Sequence, residues 1–110
     1  MKIDYIELKA NDLNAVKSFY SQAFEWTFQD YEPDYTAFSN SGLQGGFQRT
    51  EEQIVNGALV VLYSNKLELS LEKIRSAGGE ISKDIFSFPG GRRFHFLDPV
   101  GNELAVWSDK

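Results

Sequence analysis

Leu13-Asn14-Ala15-Val16-Lys17-Ser18-Phe19-Tyr20-Ser21-Gln22-Ala23-Phe24 is the stretch whose reading decides the fold. Leu13, Val16, Phe19, Tyr20 and Phe24 recur at helical spacing and form one apolar stripe. Asn11 or Asp12, just ahead, is a good helix N-cap. A second stripe, Leu67, Leu71 and Ile74, predicts another helix that stops at Gly78-Gly79. Leu13 and Leu67, Tyr20 and Ile74, and Tyr5 and Leu59 are each 54 residues apart. The two members of each pair play the same part in their own half of the chain, so the halves are repeats.

Strand signals complete each repeat. Ile3 to Lys9 alternates, with Ile6 and Leu8 on one face and Tyr5, Glu7 and Lys9 on the other. After the first helix come Trp26 to Tyr31, a Pro33-Asp34 turn, Tyr35 to Ser39, an Asn40-Ser41-Gly42 turn, and Leu43 to Arg49. The second half gives Gly57 to Tyr63, the helix, Glu80 to Phe86, a Pro89-Gly90-Gly91 turn and Arg92 to Leu97. An Asp98-Pro99-Val100-Gly101-Asn102 hairpin turn then leads to Glu103 to Ser108. The expected fold is α+β, one domain over residues 1–110, built of two β-α-β-β-β modules. They span about 1–50 and 57–110 and are joined by a polar linker at 51–56. One such module leaves a sheet face bare, so the two must share a core or a cavity.

Composition removes several function classes. The 110 residues carry 11 basic and 16 acidic side chains, a formal net charge of −5, which disfavours a nucleic-acid backbone or an anionic membrane as partner. With no cysteine there is no disulfide framework, thiol nucleophile or zinc ribbon, and a single histidine, His95, excludes a multi-histidine metal centre within one chain. No segment approaches a membrane span and no apolar signal stretch opens the sequence, so the cytoplasm is the expected location. No Ser sits in a G-x-S-x-G turn, and no glycine-rich phosphate loop precedes a helix. Sixteen aromatics remain to fill a core or line a pocket.

Asn11-Asp12-Leu13, Phe19-Tyr20 and Phe24-Glu25-Trp26 resemble the "D-L…F-Y…F-G-W" signature of the vicinal oxygen chelate superfamily. This is the superfamily of glyoxalase I, bleomycin-resistance proteins and extradiol dioxygenases. Asp98-Pro99-Val100-Gly101-Asn102 with Trp107 resembles its closing "D-P-x-G-N…L-W" hairpin, and Ala77-Gly78-Gly79 the end of its second helix. The likeness spans essentially the whole chain and is closest to a small glyoxalase-related branch. It implies a cup-shaped mixed eight-stranded sheet with a helix behind each module, commonly completed by a second subunit. A homodimer is therefore expected.

In metal-dependent relatives of this kind, His or Gln, Glu, His and Glu come from the first and last strand of each module. The corresponding positions here are Tyr5, Leu59 and Ala105, with the fourth falling among Gly46, Phe47 and Gln48. None supplies the expected ligand, so no metal and no cofactor is implied. Alternation places Tyr5, Glu7, Leu59, Val61, Tyr63, Arg93, His95, Glu103, Ala105 and Trp107 on the cup face, with Phe94 and Phe96 on the helix side. Gln48 joins the ligand-binding candidates. Arg92 and Arg93 are adjacent, so at most one faces the cup. Two readings follow. In the first, the protein binds a small amphipathic or aromatic molecule in the cup. Glu7 and Glu103 then supply a negative field, Tyr5 and Trp107 stacking faces, and His95 and Arg93 hydrogen bonds. In the second, it is a metal-independent, or atypical-metal, lyase or isomerase of the glyoxalase-related type, with His95 or Glu7 as base. Whether there is catalysis at all stays open at this point, and each candidate has a bland counterpart as core, solvated charge or surface ion pair.

Overall fold

The computed structural model describes all 110 residues. β1 (Tyr5–Ala10), α1 (Leu13–Phe24), β2 (Thr27–Tyr31), β3 (Tyr35–Ser39) and β4 (Gln44–Arg49) form the first module. β5 (Val60–Tyr63), α2 (Leu67–Ser76), β6 (Glu80–Phe88), β7 (Gly91–Leu97) and β8 (Glu103–Ser108) form the second. The eight strands make two four-stranded mixed sheets with the same order, β1-β4-β3-β2 and β5-β8-β7-β6. In each, the first and last strands of the module run parallel and the other neighbours antiparallel. The repeat read from the helical stripes is thus a repeat of topology.

The helix ends follow local chemistry. Asp12 caps α1, its Oδ1 accepting from the Ala15 amide at 3.1 Å. At the other end Glu25 takes a left-handed φ of 62°, where the superfamily signature has glycine, and the chain turns into the buried Trp26. α2 lacks a side-chain cap at Lys66. Ser64 compensates by accepting from the Lys66 amide.

Both modules contribute to one core. Tyr20 stacks on Trp26 at 4.8 Å and meets Phe47 of β4 at 5.3 Å, within its own module. Phe19 and Phe24, on the same helix, each reach Phe96 of β7 at 5.9 Å in the other module. α1 therefore packs on both sheets, and burying rings such as Phe47 and Phe96 contributes about 1.5–3 kcal/mol each. The Gly45-Gly46 pair serves this packing on two faces of β4. The Phe38 ring lies where a Cβ of Gly45 would stand, and the Tyr35 phenol lies over Gly46.

A polar cluster fastens the modules at one end. The Asp98 carboxylate, 4 % exposed, accepts from the Tyr20 hydroxyl at 2.9 Å and from the Val100 and Asn102 amides at 3.1 and 2.9 Å. It also accepts from the Asn102 side chain at 3.0 Å, and that same amide group donates to the Lys9 carbonyl of β1 at 2.8 Å. The D-P-x-G-N turn of the second module thus holds both α1 and β1 of the first.

The largest shortfall from the sequence pattern is in the first strand of the second module. β5 begins at Val60 rather than Gly57, so Leu59 precedes the strand. The reason is local: the Asn56 side chain accepts from the Glu103 amide at 2.9 Å and donates to the Gly101 carbonyl at 3.0 Å. A side chain, not a strand, therefore satisfies the start of β8.

Burial raises the Asp98 carboxyl above its ordinary value, although the Asn102, Tyr20 and Val100 donors pull the other way. A raised carboxyl lets the native state hold its proton to higher pH than the unfolded chain. Its stabilising contribution is complete below about pH 4 and is lost as pH rises through the native value. Asp98→Asn should remove that slope, so the wild-type minus variant difference in melting temperature should shrink as pH is raised from 3 to 6.

Candidate functional site

Strand register puts the second module's expected residues on one sheet face. Val61 pairs with Ala105, and Ala105 with His95, while Tyr63 pairs with Trp107, and Trp107 with Arg93. The opposite face, carrying Phe94, Phe96, Leu104 and Val106, is sealed in the core. His95 is nevertheless only 7 % exposed on its own face. Its cover is the Phe86 ring, 5.9 Å away on β6. β6 pairs Phe86 with Arg93 and Lys83 with His95, through two register shifts that curl the strand.

The His95 imidazole is held from one side. Its Nδ1 lies 2.9 Å from Glu103 Oε2, whereas Nε2 is buried with no partner. A carboxylate acceptor fixes the proton on Nδ1, which leaves the Nε2 lone pair free to accept a proton. Arg93 lies alongside. Its guanidinium stands 5.3 Å from the Phe86 ring centre and 5.8 Å from that of Phe88, and its Nε is buried and unpartnered. Arg92 points the other way and grips Glu68 of α2 with two hydrogen bonds at 2.5 and 3.2 Å. Trp107 completes an aromatic row, 5.2 Å from Tyr63 and 6.4 Å from Phe88. The Tyr63 hydroxyl donates to Asp109 at 2.6 Å, and this bond is the largest of the effects raising its phenol.

The first module's candidates form a separate group. Glu7 sits 3.3 Å from the Lys9 ammonium, and the Tyr5 and Tyr35 hydroxyls share a hydrogen bond. Burial, then the Tyr5 hydroxyl and the Glu7 carboxylate, raise the Tyr35 phenol. The Gln48 amide donates to the Asp34 carbonyl at 3.2 Å. None of these bonds to the second module's set. Glu7 and Glu103 do line one small cavity of about 190 Å³ beside residues 55–58. Of that pair, Glu7 is met by the Lys9 ammonium, whereas Glu103 keeps its charge while accepting a hydrogen bond from the His95 Nδ1–H.

Phe86, Phe88 and Lys83 belong to this face and were not among the sequence candidates. Alternation counted from Ile81 reaches Phe86 and Phe88 on the free face, because two bulges cancel in parity. Lys83 falls between the bulges, where alternation fails. The largest cavity lies elsewhere. It measures about 570 Å³, is lined mainly by residues such as Ile6, Leu8, Phe24, Val60, Leu62 and Val106, and holds no charged side chain. It is a mostly apolar, partly open groove whose polar lining is Asn40, Ser41, Ser64 and Ser70, and the titratable candidates lie outside it on the His95 face.

The register also settles the metal positions. Val61 pairs with Ala105 as Glu7 pairs with Gly46, so the four equivalent positions are Tyr5, Gly46, Leu59 and Ala105. Glycine, alanine and leucine offer no side-chain donor, and no three His, Cys, Asp or Glu side chains gather elsewhere. These residues do not fit the superfamily's metal.

Because His95 is the chain's only histidine, its nitrogens can be read directly. Long-range ¹⁵N correlation spectra near pH 8 should show the Nδ1–H tautomer. Glu103→Gln should shift the population toward Nε2–H, and an Nε2–H form in the wild type would contradict the geometry.

The family described as Glyoxalase/Bleomycin resistance protein/Dioxygenase superfamily matches residues 2–106. A glyoxalase/bleomycin resistance protein/dioxygenase family enzyme from Burkholderia phytofirmans PsJN shares the fold at a TM-score of 0.84 and 15% identity, over 97% of this chain and 98% of that one. The fosfomycin resistance protein FosX from Listeria monocytogenes matches at 0.84 and 17%, over 100% and 94%. A glyoxalase-related enzyme from Fulvimarina pelagi matches at 0.82 and 18%, over 97% and 87%. Among curated proteins, none matches the sequence. With two β-α-β-β-β modules, the signature hairpin and a family match over nearly its whole length, the chain belongs to the glyoxalase/bleomycin resistance/dioxygenase superfamily.

Proposed function

We propose that this protein binds a small amphipathic, aromatic molecule on the free face of the second module, without help from a metal. The observation that carries the reading is the buried His95 Nε2, which lacks a partner beside the Phe86 ring. A buried polar atom left unsatisfied costs about 1–3 kcal/mol, and a ligand group that meets it recovers that cost on binding. Phe86, Phe88, Trp107 and Tyr63 supply the apolar surface that such a molecule would cover.

A second reading has its own support. Imidazole oriented by a carboxylate is the arrangement of a general base, so the same face suits a lyase or isomerase in which Nε2 takes a proton. Glu7 suits that role less well, since it is exposed and paired with Lys9.

The two readings separate in one experiment. Thermal-shift screening against aromatic compounds and aldehyde–thiol adducts should find a ligand that raises the melting point saturably, by about 2.7 kcal/mol at a hundredfold excess over Kd. For a binding protein, His95→Gln should weaken that ligand only a few-fold and no product should form. For an enzyme, turnover should be present and abolished by His95→Gln with the melting point unchanged. If no compound stabilises the protein, the binding reading falls.

A homodimer is part of the proposal. Tyr5, Leu59 and Val61 are between 39% and 43% exposed, an apolar strip on β1 and on and just before β5 that a second copy would cover. Light scattering at micromolar concentration should give twice the 12.5 kDa chain mass, and a strictly monomeric mass would remove the completed cup.

A further inference from the structure

We infer that the molecule bound on the His95 face is an aryl carboxylate, with Arg93 receiving the carboxylate. The inference rests on the binding reading above and names the class of ligand. It begins from an imbalance of charge. The protein has four arginines, and three are spent on its own carboxylates: Arg49 on Asp34 and Glu51, Arg75 on Glu72, and Arg92 on Glu68. Arg93 forms neither an ion pair nor a hydrogen bond, although acidic side chains outnumber basic ones by 16 to 11. Of the acids on β8 and just beyond it, Asp109 accepts from the Tyr63 hydroxyl and Glu103 is held by His95 instead.

The way Arg93 is held gives the geometry. Phe86 and Phe88 lie 5.3 and 5.8 Å from the guanidinium carbon, and they stabilise the cation through their rings rather than through acceptors. The in-plane N–H groups remain unspent, and a planar guanidinium edge matches a carboxylate with two parallel hydrogen bonds. Lys83 places a second positive charge 5.0 Å from the Phe86 ring, also without an ion pair. Two uncommitted cations therefore flank the buried imidazole, which makes this corner locally positive on an acidic protein.

Register then sets the rest of the molecule. Arg93, Trp107 and Tyr63 are direct neighbours across β7, β8 and β5, so their side chains form one row about 5 Å apart. A carboxylate seated on Arg93 directs the remainder of the ligand along Trp107 and Tyr63, both aromatic. His95 Nε2, two residues from Arg93 on the same face, accepts from a hydroxyl on the ligand or takes up a proton beside the bound anion. A cationic ligand would meet the unpaired Arg93 and Lys83 first, while the Glu103 carboxylate is turned to His95 Nδ1 and Glu7 to Lys9.

The test compares isosteres on the intact protein: 1-naphthoate, 1-naphthamide and 1-naphthylmethylammonium, by calorimetry with His95 ¹⁵N shifts recorded alongside. The wild type should bind the carboxylate at least tenfold more tightly than the amide and bind the ammonium weakest. The His95 signals should move with naphthoate. Arg93→Gln should reduce the carboxylate preference below threefold while amide affinity changes little, and Arg93→Lys should restore part of it. Equal binding of the isosteres, a preference for the ammonium, or naphthoate binding with no His95 shift overturns the inference and leaves the binding reading standing. Failure of all three to bind at millimolar concentration overturns both.

Discussion

One buried carboxylate joins the two halves of this molecule. Asp98 stands in a turn of the second module, and its four donors include the Tyr20 hydroxyl from the first. Asn102 extends the contact to the β1 backbone. Without these bonds Asp98 would be a charge removed from water with nothing to replace the water, a situation that costs several kcal/mol. Three of the donors lie within the turn itself, and docking α1 adds the fourth, the Tyr20 hydroxyl, as it buries the carboxylate. The same docking puts Phe19 and Phe24 against Phe96, so the polar fastening and the apolar core require each other. The D-P-x-G-N motif is architectural: it reports that two modules are joined, and it carries no information about chemistry.

That separation explains what could be read in the sequence. Module topology was legible because helix stripes and strand alternation are local patterns, and the offset of 54 residues carried one half onto the other. The residues of the free face were legible for the same reason, since register across β5, β8 and β7 only extends alternation sideways. Three features were not. Leu59 fell outside its strand because Asn56, a residue without any pattern, occupies the edge of β8. Lys83 changed faces because bulges break alternation between Ile81 and Phe86. The fates of Glu7 and Glu103 depended on which partner each side chain reached, and a strand pattern gives direction but not partners. Arg92 and Arg93 show both sides of this: opposite orientation followed from adjacency, while only the structure assigns Arg92 to Glu68.

The superfamily's metal positions give the site its remaining logic. Where relatives of the metal-dependent type place oxygen or imidazole donors, this chain has Tyr5, Gly46, Leu59 and Ala105, and two of these are committed to packing. Gly46 is covered by Tyr35, and Ala105 is fully buried beneath its neighbours on the sheet. A bulky donor at either position would displace what now lies over it. Restoring a metal would therefore require several coupled changes, since a single ligand among four binds weakly and a Gly46 side chain would collide with the Tyr35 ring. The double module is present, and at Gly46 and Ala105 the space a ligand side chain would need is filled.

A face of this kind must gain its specificity from groups that are desolvated yet unpaired. Two sites meet that description, Arg93 Nε and His95 Nε2, and both lie on β7 two residues apart. The third unpaired buried atom, the Thr36 hydroxyl, sits on β3 within the first module. Fully exposed charges elsewhere on the surface are already hydrated and lose that hydration on binding, so they discriminate poorly. These two atoms have given up their water during folding without receiving a protein partner in return. That cost is carried by the free protein, and under the proposed binding it is recovered as ligand groups meet these atoms.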